Sequence, residues 1–377
     1  PLWSRGLGDV YKRQGETFDQ WQTSPAYSAQ PNAAVKKYVD AHPISGDYGK
    51  TWTLTMPESK YRGRDDGIGE QAPKGWTTSF PHVLKGSSDK ADADYYSQWQ
   101  VSPFADAYIG RMAAALVDDL QLGTRGTTDV LAVSFSTPDL VGHAFGPDSR
   151  EVQDIYMNLD RTLGELFAHL DATVGKGQWV VGLSADHGVN RIPEAMTAEG
   201  KNAGRVDGRA VTASLEERLV KAFGPGKYVN RVNWNDVYLE PGIYDRVRKD
   251  KALLADVLKT LEGNLGIQKA FTAEQARAGA GSSDPLLRAA AFSYFPGRSG
   301  DLLLVARPGW ISPGAAASHG SANSDDQRVP VLLMGAGVKP GTYTMAAGPA
   351  DVAPSLAALC GITMPKAEGH ALSAAFK

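Results

Sequence analysis

The chain has 377 residues, of which 42% are hydrophobic and 21% charged, the balance of an ordinary globular protein with a sizeable core. Its formal net charge of -3 provides no basic surface of the kind that neutralises a nucleic-acid backbone, so nucleic acid is not expected as a partner. No run approaches the roughly 20 apolar residues of a membrane span. Cys360 is the only cysteine, which excludes an intramolecular disulfide.

The first 14 residues, PLWSRGLGDVYKRQ, lack an initiator Met and show neither helical nor strand periodicity. We interpret residues 1–14 as a non-native segment, the translated read-through of a sequencing adapter, with a native N-terminal tail as the alternative. Residues 15–377 are predicted to form one α/β domain with an insertion at about 190–300. The Trp-, Tyr- and Pro-rich stretch Gly15–Gly86 is expected to form long surface segments rather than core elements.

Two helices are predicted in the first half of the chain. Ser102, an N-cap residue followed by Pro103, begins the first, whose apolar residues recur at helical spacing. Asp148 and Glu151 match a capping box and predict a second, longer helix. A long apolar stripe over residues 152–170 indicates that this second helix packs against a core.

Short apolar runs predict the strands of an interior sheet. Val130–Ser136 and Gln178–Ala185 are both too short for helices of such hydrophobicity, and they flank the second helix. Strand, helix and strand with short connections predict a parallel βαβ unit. Further predicted elements are helices from Thr212 or Ser214, over Leu253–Leu261 and after a Thr272–Gln275 cap, strands over Leu302–Ala306 and Val329–Met334, and a last helix from Asp351.

Metal-binding residue types follow the predicted strands. Asp139 and His143 come after the first strand, Asp186 and His187 directly follow the second, and His319 lies in a small-residue loop after a later strand. In open α/β sheets, ligands bind at the carboxyl ends of the strands. One Asp–His pair alone is typical of a hydrogen-bonded loop, but two carboxylates and three imidazoles at such positions favour a zinc site.

The other candidate polar residues are expected to have no catalytic role. Asp154 and Asp160 are predicted on the solvated face of the long helix or in supporting hydrogen bonds, and Cys360 on the apolar face of the last helix as an inert core residue. Four histidines are interpreted as structural or solvated: His42, His82, His169 and His370.

Four segments, in chain order, resemble a known family: SFSTPDLVGHAFGPDS, LSADHGV, SHGS followed by RVPVLLMGAGVKPG, and DVAPSLAALCGITMP. They are similar to the type I phosphodiesterase/nucleotide pyrophosphatase branch of the alkaline phosphatase superfamily, and most of all to bacterial periplasmic alkaline phosphatases of the sphingomonad and flavobacterial type. The resemblance runs from about Trp21 to the C-terminus. It implies an alkaline-phosphatase-like α/β fold, with a mostly parallel central sheet flanked by helices, long insertions, and the first core strand or strands missing.

The resemblance also implies a metal centre with two Zn²⁺ per subunit in the intact enzyme. Asp139, His143 and His319 match the three ligands of one zinc, and Asp186 and His187 match two ligands of the other. The implied reaction is hydrolysis of phosphate monoesters by in-line displacement through a covalent phospho-enzyme.

The sequence departs from the family pattern at the nucleophile. Family members carry an upstream Asp ligand, a Thr or Ser nucleophile, an Asn and a Lys/Arg pair, and none of these has a counterpart in residues 15–377. The nucleophile is therefore expected upstream of residue 1, the substrate-binding residues stay unassigned, and this chain is expected to be a fragment that is inactive or nearly so.

Two alternatives remain open. On the same fold, the substrate could be a phosphodiester or nucleotide pyrophosphate. In another class altogether, the chain could be a non-catalytic zinc-binding module. A small phosphate ester is the expected partner, and the resemblance implies a periplasmic or secreted location. Oligomeric state and physiological substrate are left undetermined.

Overall fold

The computed structural model describes residues 32–377, so the segment 1–14 lies outside the described residues. The chain divides into two compact units. Among the described residues, the first unit comprises 32–186 together with 329–377, and the second comprises 187–328. The predicted insertion at about 190–300 falls inside the second unit, and its boundaries stay a prediction. Among residues 32–377, no helix combines the length and apolarity that crossing a bilayer requires.

The elements of residues 32–377 are as follows. The α-helices are α1 (Ala33–Ala41), α2 (Ala93–Gln100), α3 (Pro103–Asp119), α4 (Thr137–Phe145), α5 (Arg150–Leu170), α6 (Pro193–Ala198), α7 (Gly208–Phe223), α8 (Ile243–Lys249), α9 (Lys251–Glu262), α10 (Ala273–Ala278), α11 (Pro285–Ser293), α12 (Ser324–Gln327) and α13 (Val352–Leu359). The strands are β1 (Thr51–Trp52), β2 (His82–Val83), β3 (Val180–Ser184), β4 (Gly204–Arg205), β5 (Val229–Asn233), β6 (Asp236–Leu239), β7 (Ile267–Thr272), β8 (Leu302–Ala306), β9 (Trp310–Ile311) and β10 (Val331–Gly335).

Helices α3 and α5 form the scaffold of the first unit. Both predicted helices are confirmed, but the cap of α5 is Ser149, whose hydroxyl accepts a hydrogen bond from Val152 N at 3.1 Å. The predicted capping box of Asp148 and Glu151 is therefore wrong, because the cap lies one residue further along. The two helices cross closely, since a Cβ on Gly110 of α3 would lie 2.4 Å from the Thr162 methyl carbon of α5.

Residues 32–86 contribute to the core, contrary to the surface prediction for Gly15–Gly86, of which residues 15–31 lie outside the described residues. Trp52 is 2% exposed and Leu84 is fully buried. Buried Asp154 of α5 anchors this segment, accepting hydrogen bonds from Trp52 Nε1 (2.6 Å), Thr55 N (2.7 Å) and the Tyr61 hydroxyl. The solvated-face option for Asp154 is therefore wrong. A polar chain segment packs here because one carboxylate satisfies several of its donors.

The Val130–Ser136 run is not a strand, and Val130 is 86% exposed. No strand among residues 32–377 pairs with this run, so its backbone N–H and C=O groups form no hydrogen-bond ladder with a neighbouring strand. The second predicted strand is confirmed as β3, but β3 pairs antiparallel with β10. The predicted parallel βαβ unit is therefore not formed. Helix α13 packs on β3, where a Cβ on Gly182 would lie 2.6 Å from Val352 Cγ1.

The second unit contains a four-stranded antiparallel sheet in the order β5-β6-β8-β7. Helices α7 and α9 bury their apolar faces against it, and all five residues of β8 are buried. The α9, α10 and β8 predictions are confirmed, including the Thr272–Gln275 capping box. The predicted start of α7 at Thr212 or Ser214 is wrong, because Asp207 caps the helix.

The α/β class is confirmed, with helices packed on sheets, whereas strand direction differs from the expectation. Among the strands between residues 32 and 377, only β4 and β9 run parallel. Helix α13 is confirmed after Asp351, but Cys360 at its C-cap is exposed, so the prediction of a core cysteine is wrong. The last residue of α13, Leu359, is partly buried, and Cys360 lies just beyond the helix.

Candidate metal centre

Helix α4 carries two of the predicted metal ligands. Asp139 and His143 lie four residues apart, which places them on one face of the helix, with Asp139 Oδ1 3.6 Å from His143 Nε2. Both side chains are partly exposed, at 40% and 29% respectively. Carboxylate and imidazole are thus brought together without being withdrawn from solvent.

The start of α4 is held by a buried carboxylate of α3. Asp106 is 4% exposed and accepts a hydrogen bond from Thr137 N at 3.3 Å. Burial raises the pKa of Asp106 to about 6, while its hydrogen bonds with Thr137 and Ser136 act in the opposite direction. Above that pH the carboxylate is ionised at the N-terminus of α4, where the helix dipole favours a negative charge.

The Asp139–His143 pair fits a zinc ion. Zinc binds oxygen and nitrogen ligands at about 2.0–2.2 Å in tetrahedral geometry, which puts two ligand atoms roughly 3.3–3.6 Å apart. The observed 3.6 Å separation meets this requirement with no rearrangement. The donor set, one carboxylate and one imidazole, is also one that zinc accepts.

In the second unit, His187 and His319 lie together. Their rings are stacked, with centroids 3.5 Å apart and an interplanar angle of 12°. His187 Nδ1 is 2.9 Å from Gly188 O; because a carbonyl only accepts, Nδ1 carries the proton. Nε2 is then the nitrogen with a lone pair for a metal, the arrangement in which a ligating histidine donates its other N–H to a backbone carbonyl.

The fifth predicted ligand, Asp186, follows β3 and directly precedes His187. The first unit therefore brings Asp139 and His143 together, and the second unit brings His187 and His319 together. The end of β3 accounts for the positions of Asp186 and His187 but not for those of the other three predicted ligands. Asp139 and His143 follow an irregular segment, and His319 comes after the two-residue strand β9, which pairs parallel with β4, rather than directly after the predicted strand β8.

The loops of His187 and His319 are joined by residues that the sequence analysis did not identify. Asp326, 4% exposed, accepts hydrogen bonds from Asn190 Nδ2 at 2.9 Å and from Ser321 N at 2.6 Å. Its own carbonyl accepts from Gly188 N at 2.6 Å, and Asn190 N donates to Ser318 O at 2.9 Å. Burial raises the pKa of Asp326. In the sequence, Asp326 is one of two adjacent aspartates before a predicted strand, and this pattern does not indicate that it joins the two histidine loops.

The turn between β5 and β6 contacts the same loop. Trp234 has a φ of 56°, a left-handed conformation that is rare for a bulky residue. Asn235 Nδ2 donates to Gly320 O at 2.8 Å, and a Cβ on Gly320 would lie 3.0 Å from Trp234 Nε1. Gly320 itself has a φ of 91°. Glycine is therefore required directly after His319, both by the backbone conformation and by the approach of the indole.

Comparison with known proteins extends these findings. Residues 2–326 match the family of type I phosphodiesterases and nucleotide pyrophosphatases. Alkaline phosphatase PhoK of a Sphingomonas species is 33% identical over 296 residues, which cover 73% of this chain and 51% of PhoK. A calcium-transporting ATPase of Myroides odoratus is 31% identical over 369 residues, covering 94% of this chain and 66% of that protein.

The fold has a solved counterpart in wild-type alkaline phosphatase PafA, with a TM-score of 0.81 and 26% identity over 94% of this chain and 68% of PafA. The PafA sequence of Elizabethkingia meningoseptica is 28% identical over 360 residues. The chain thus spans about half to two thirds of the length of the curated relatives it matches. The family match covers most of the chain and the fold agrees with it, so this protein belongs to the type I phosphodiesterase/nucleotide pyrophosphatase family of the alkaline phosphatase superfamily.

Proposed function

We propose that this chain is part of an enzyme that, when intact, hydrolyses phosphate monoesters at a centre of two zinc ions. The observation that carries the proposal is the pairing of predicted ligands, Asp139 with His143 and His187 with His319, in a chain of this family. Two of its relatives are named alkaline phosphatases and match over most of this chain's length.

In this proposal the five predicted ligands divide between the two zinc ions. Asp139, His143 and His319 hold one zinc, and Asp186 and His187 hold the other. Bound zinc supplies positive charge that neutralises the phosphoryl oxygens and lowers the pKa of a coordinated water or hydroxyl. The chain itself is acidic overall, so substrate attraction depends on this local positive charge.

The remaining chemistry belongs to a Thr or Ser nucleophile that is phosphorylated and then hydrolysed. The family resemblance identifies no such residue within 15–377. We therefore propose that residues 32–377 contribute metal binding and scaffold, and that turnover needs a nucleophile outside them.

Zinc content tests the metal centre independently of turnover. We expect the chain, dialysed against Zn²⁺, to retain at least the ion that has three proposed protein ligands, and His143→Ala to lose it. The second ion, with only Asp186 and His187 from this chain, should bind more weakly, and His187→Ala should weaken it further. His42→Ala, which changes an exposed histidine, is the matched control. Elemental analysis and calorimetric titration give the stoichiometry; a wild-type chain that retains no zinc would overturn the proposed centre.

Turnover is measured with p-nitrophenyl phosphate. We expect background hydrolysis by this chain and zinc-dependent hydrolysis by a version that also carries the upstream coding sequence. Zinc-dependent hydrolysis well above background by the 377-residue chain would contradict the assignment of the nucleophile, while leaving the metal centre intact.

A second candidate function, hydrolysis of phosphodiesters or nucleotide pyrophosphates, is favoured by the family to which the chain belongs. The ratio of kcat/KM for p-nitrophenyl phosphate and its bis-ester separates the two. A ratio in favour of the bis-ester would replace the monoesterase proposal.

We also propose a periplasmic or secreted location and a small phosphate ester as substrate, on the strength of the family resemblance. Fractionation of cells that express the gene tests the location.

A further inference from the structure

We propose that Asp326 is a positioning residue that holds the His187 and His319 loops in register before any metal binds. The inference deepens the proposed function, on which it rests for its metal, but its structural part concerns only the second unit. Asp326 lies on the short helix α12 and forms hydrogen bonds with residues close in sequence to the two histidines.

Asp326 binds two backbone N–H groups and one side-chain amide of the two loops. The Asp326 side chain accepts from Asn190 Nδ2 (2.9 Å) and from Ser321 N (2.6 Å), while its carbonyl accepts from Gly188 N (2.6 Å). Gly188 adjoins His187, and Ser321 lies two residues after His319. The Asp326 contacts therefore act directly on the backbone that carries both rings.

The hydrogen bonds that join the two loops are buried. Asp326 is 4% exposed and Asn190 is 2% exposed, so water does not readily replace a lost partner. A second link runs from Asn190 N to Ser318 O at 2.9 Å, on the other side of His319. The His319 loop is thus fixed to the His187 loop both before and after the histidine.

The approach of the two segments also explains a glycine. A Cβ on residue 188 would lie 1.9 Å from Asp325 O, which no side chain tolerates. Gly188 lets the strand-end loop pass against the chain that bears Asp326. The stacking of the imidazoles, with centroids 3.5 Å apart, is the result of this close approach.

Zinc sites depend on such supporting contacts, because a ring that is free to rotate must be ordered when the metal binds. Removal of a supporting partner typically lowers metal affinity 10- to 100-fold. We expect a loss of that order when Asp326 is changed, with the ligands themselves intact.

The test uses Asp326→Asn and two companions. Asparagine keeps the size of the side chain but directs an N–H₂ group at one of its two donors, either Asn190 Nδ2 or Ser321 N. Asp325→Asn, at the exposed neighbouring position, is the matched control. The double variant Asn190→Asp with Asp326→Asn restores complementarity, since the new amide donates to residue 190 and accepts from Ser321 N.

The first measurement is made on the metal-free chain with labelled histidines. We expect ring-to-ring nuclear Overhauser effects between His187 and His319 in the wild type, in Asp325→Asn and in the double variant, and their loss in Asp326→Asn. Persistence of the effects in Asp326→Asn, or failure of the double variant to restore them, overturns the proposal. The double variant keeps the test decisive even if Asp326→Asn folds poorly.

The second measurement is a Co²⁺ titration followed by visible absorption. We expect a 10- to 100-fold weaker affinity in Asp326→Asn and recovery in the double variant. Equal affinity in all four proteins overturns the positioning role. If the ring contacts behave as expected but the wild type binds no Co²⁺, positioning is supported and the proposed metal function is the part that fails.

Discussion

At the scale of single residues, buried carboxylates organise the described chain. Asp154 joins the segment 52–61 to α5, Asp106 holds the start of α4, and Asp326 joins two loops of the second unit. In each case the carboxylate satisfies backbone or side-chain donors that would otherwise be buried without a partner. Removal of one acceptor therefore leaves several donors unsatisfied.

Asp154 permits a direct test of this principle. We expect Asp154→Ala to lower the free energy of unfolding by about 3 kcal/mol, because Trp52 Nε1, Thr55 N and the Tyr61 hydroxyl all lose their acceptor. Asp160→Ala, at an exposed position of the same helix, should change it by less than about 0.5 kcal/mol. Urea denaturation followed by circular dichroism gives both values; equal effects would contradict the role assigned to Asp154.

At the scale of elements, sequence periodicity predicted the helices well. The α3, α5, α9 and α13 predictions rest on apolar stripes and caps within one segment, and these local features determine a helix. The strand predictions were less complete. Short apolar runs correctly identify the strands β3 and β8. The strands with which they pair lie in distant parts of the chain, so neither the order of strands in each sheet nor their relative direction could be predicted from the runs. The Val130 run shows that apolar character without a partner does not make a strand.

The crossing of α3 and α5 is sensitive to a single methyl group. Gly110→Ala would place a carbon 2.4 Å from Thr162 Cγ2, and we expect a loss of about 1–3 kcal/mol in the free energy of unfolding because the helices must separate. Gly164→Ala is the control with the opposite sign. Nothing lies within 4 Å of its Cβ, so alanine should stabilise α5 by about 0.5–1 kcal/mol.

Thermal or urea unfolding of the two variants provides the comparison. A destabilised Gly164→Ala or an unaffected Gly110→Ala would show that the helices do not cross as described.

At the scale of the whole molecule, the sequence predicted the ligand types but not what positions them. Asp139 with His143, and Asp186 with His187, stand out because metal-binding residues are adjacent or one helical turn apart in the chain. His319 was found through its glycine-flanked loop. Asn190, Asp326 and the Trp234 turn carry no such pattern, because their role arises only when distant segments fold together.

The stability of the whole chain should depend on pH through a buried cluster of the first unit. His82 Nε2 lies 3.0 Å from Glu151 Oε1, and both side chains are fully buried. Desolvation raises the pKa of Glu151 to about 8; desolvation, together with the charge of Glu151, raises that of Glu70 to about 8. Desolvation lowers the pKa of His82 to about 4. The other charged groups that act on this cluster are Asp65, Asp66, Asp154 and Arg150.

The sign follows from proton binding. Above pH 6.5, His82 is neutral in both states, while the two glutamates hold protons only when folded. The free energy of unfolding should therefore fall between pH 6.5 and 8, by roughly 1.6 kcal/mol for each glutamate and about 3 kcal/mol in all. Glu70→Gln should flatten this dependence, and Glu165→Gln on the exposed face of α5 should not. Urea denaturation at several pH values in this range measures the dependence. A free energy of unfolding that rises with pH would contradict the protonation of Glu70 and Glu151 in the folded state.

The antiparallel pairing of β3 with β10 has a consequence for how the gene can change. The last residue of β3, Ser184, pairs with the first residue of β10, Val331, and its hydroxyl donates to Pro330 O at 2.9 Å. The long excursion 187–328 thus departs and returns at neighbouring points, as the turn of a hairpin does. Residues can therefore be inserted or deleted within 187–328 without displacing β3 or β10. The segment, with His187 and His319, can then be inherited or exchanged between genes as one unit.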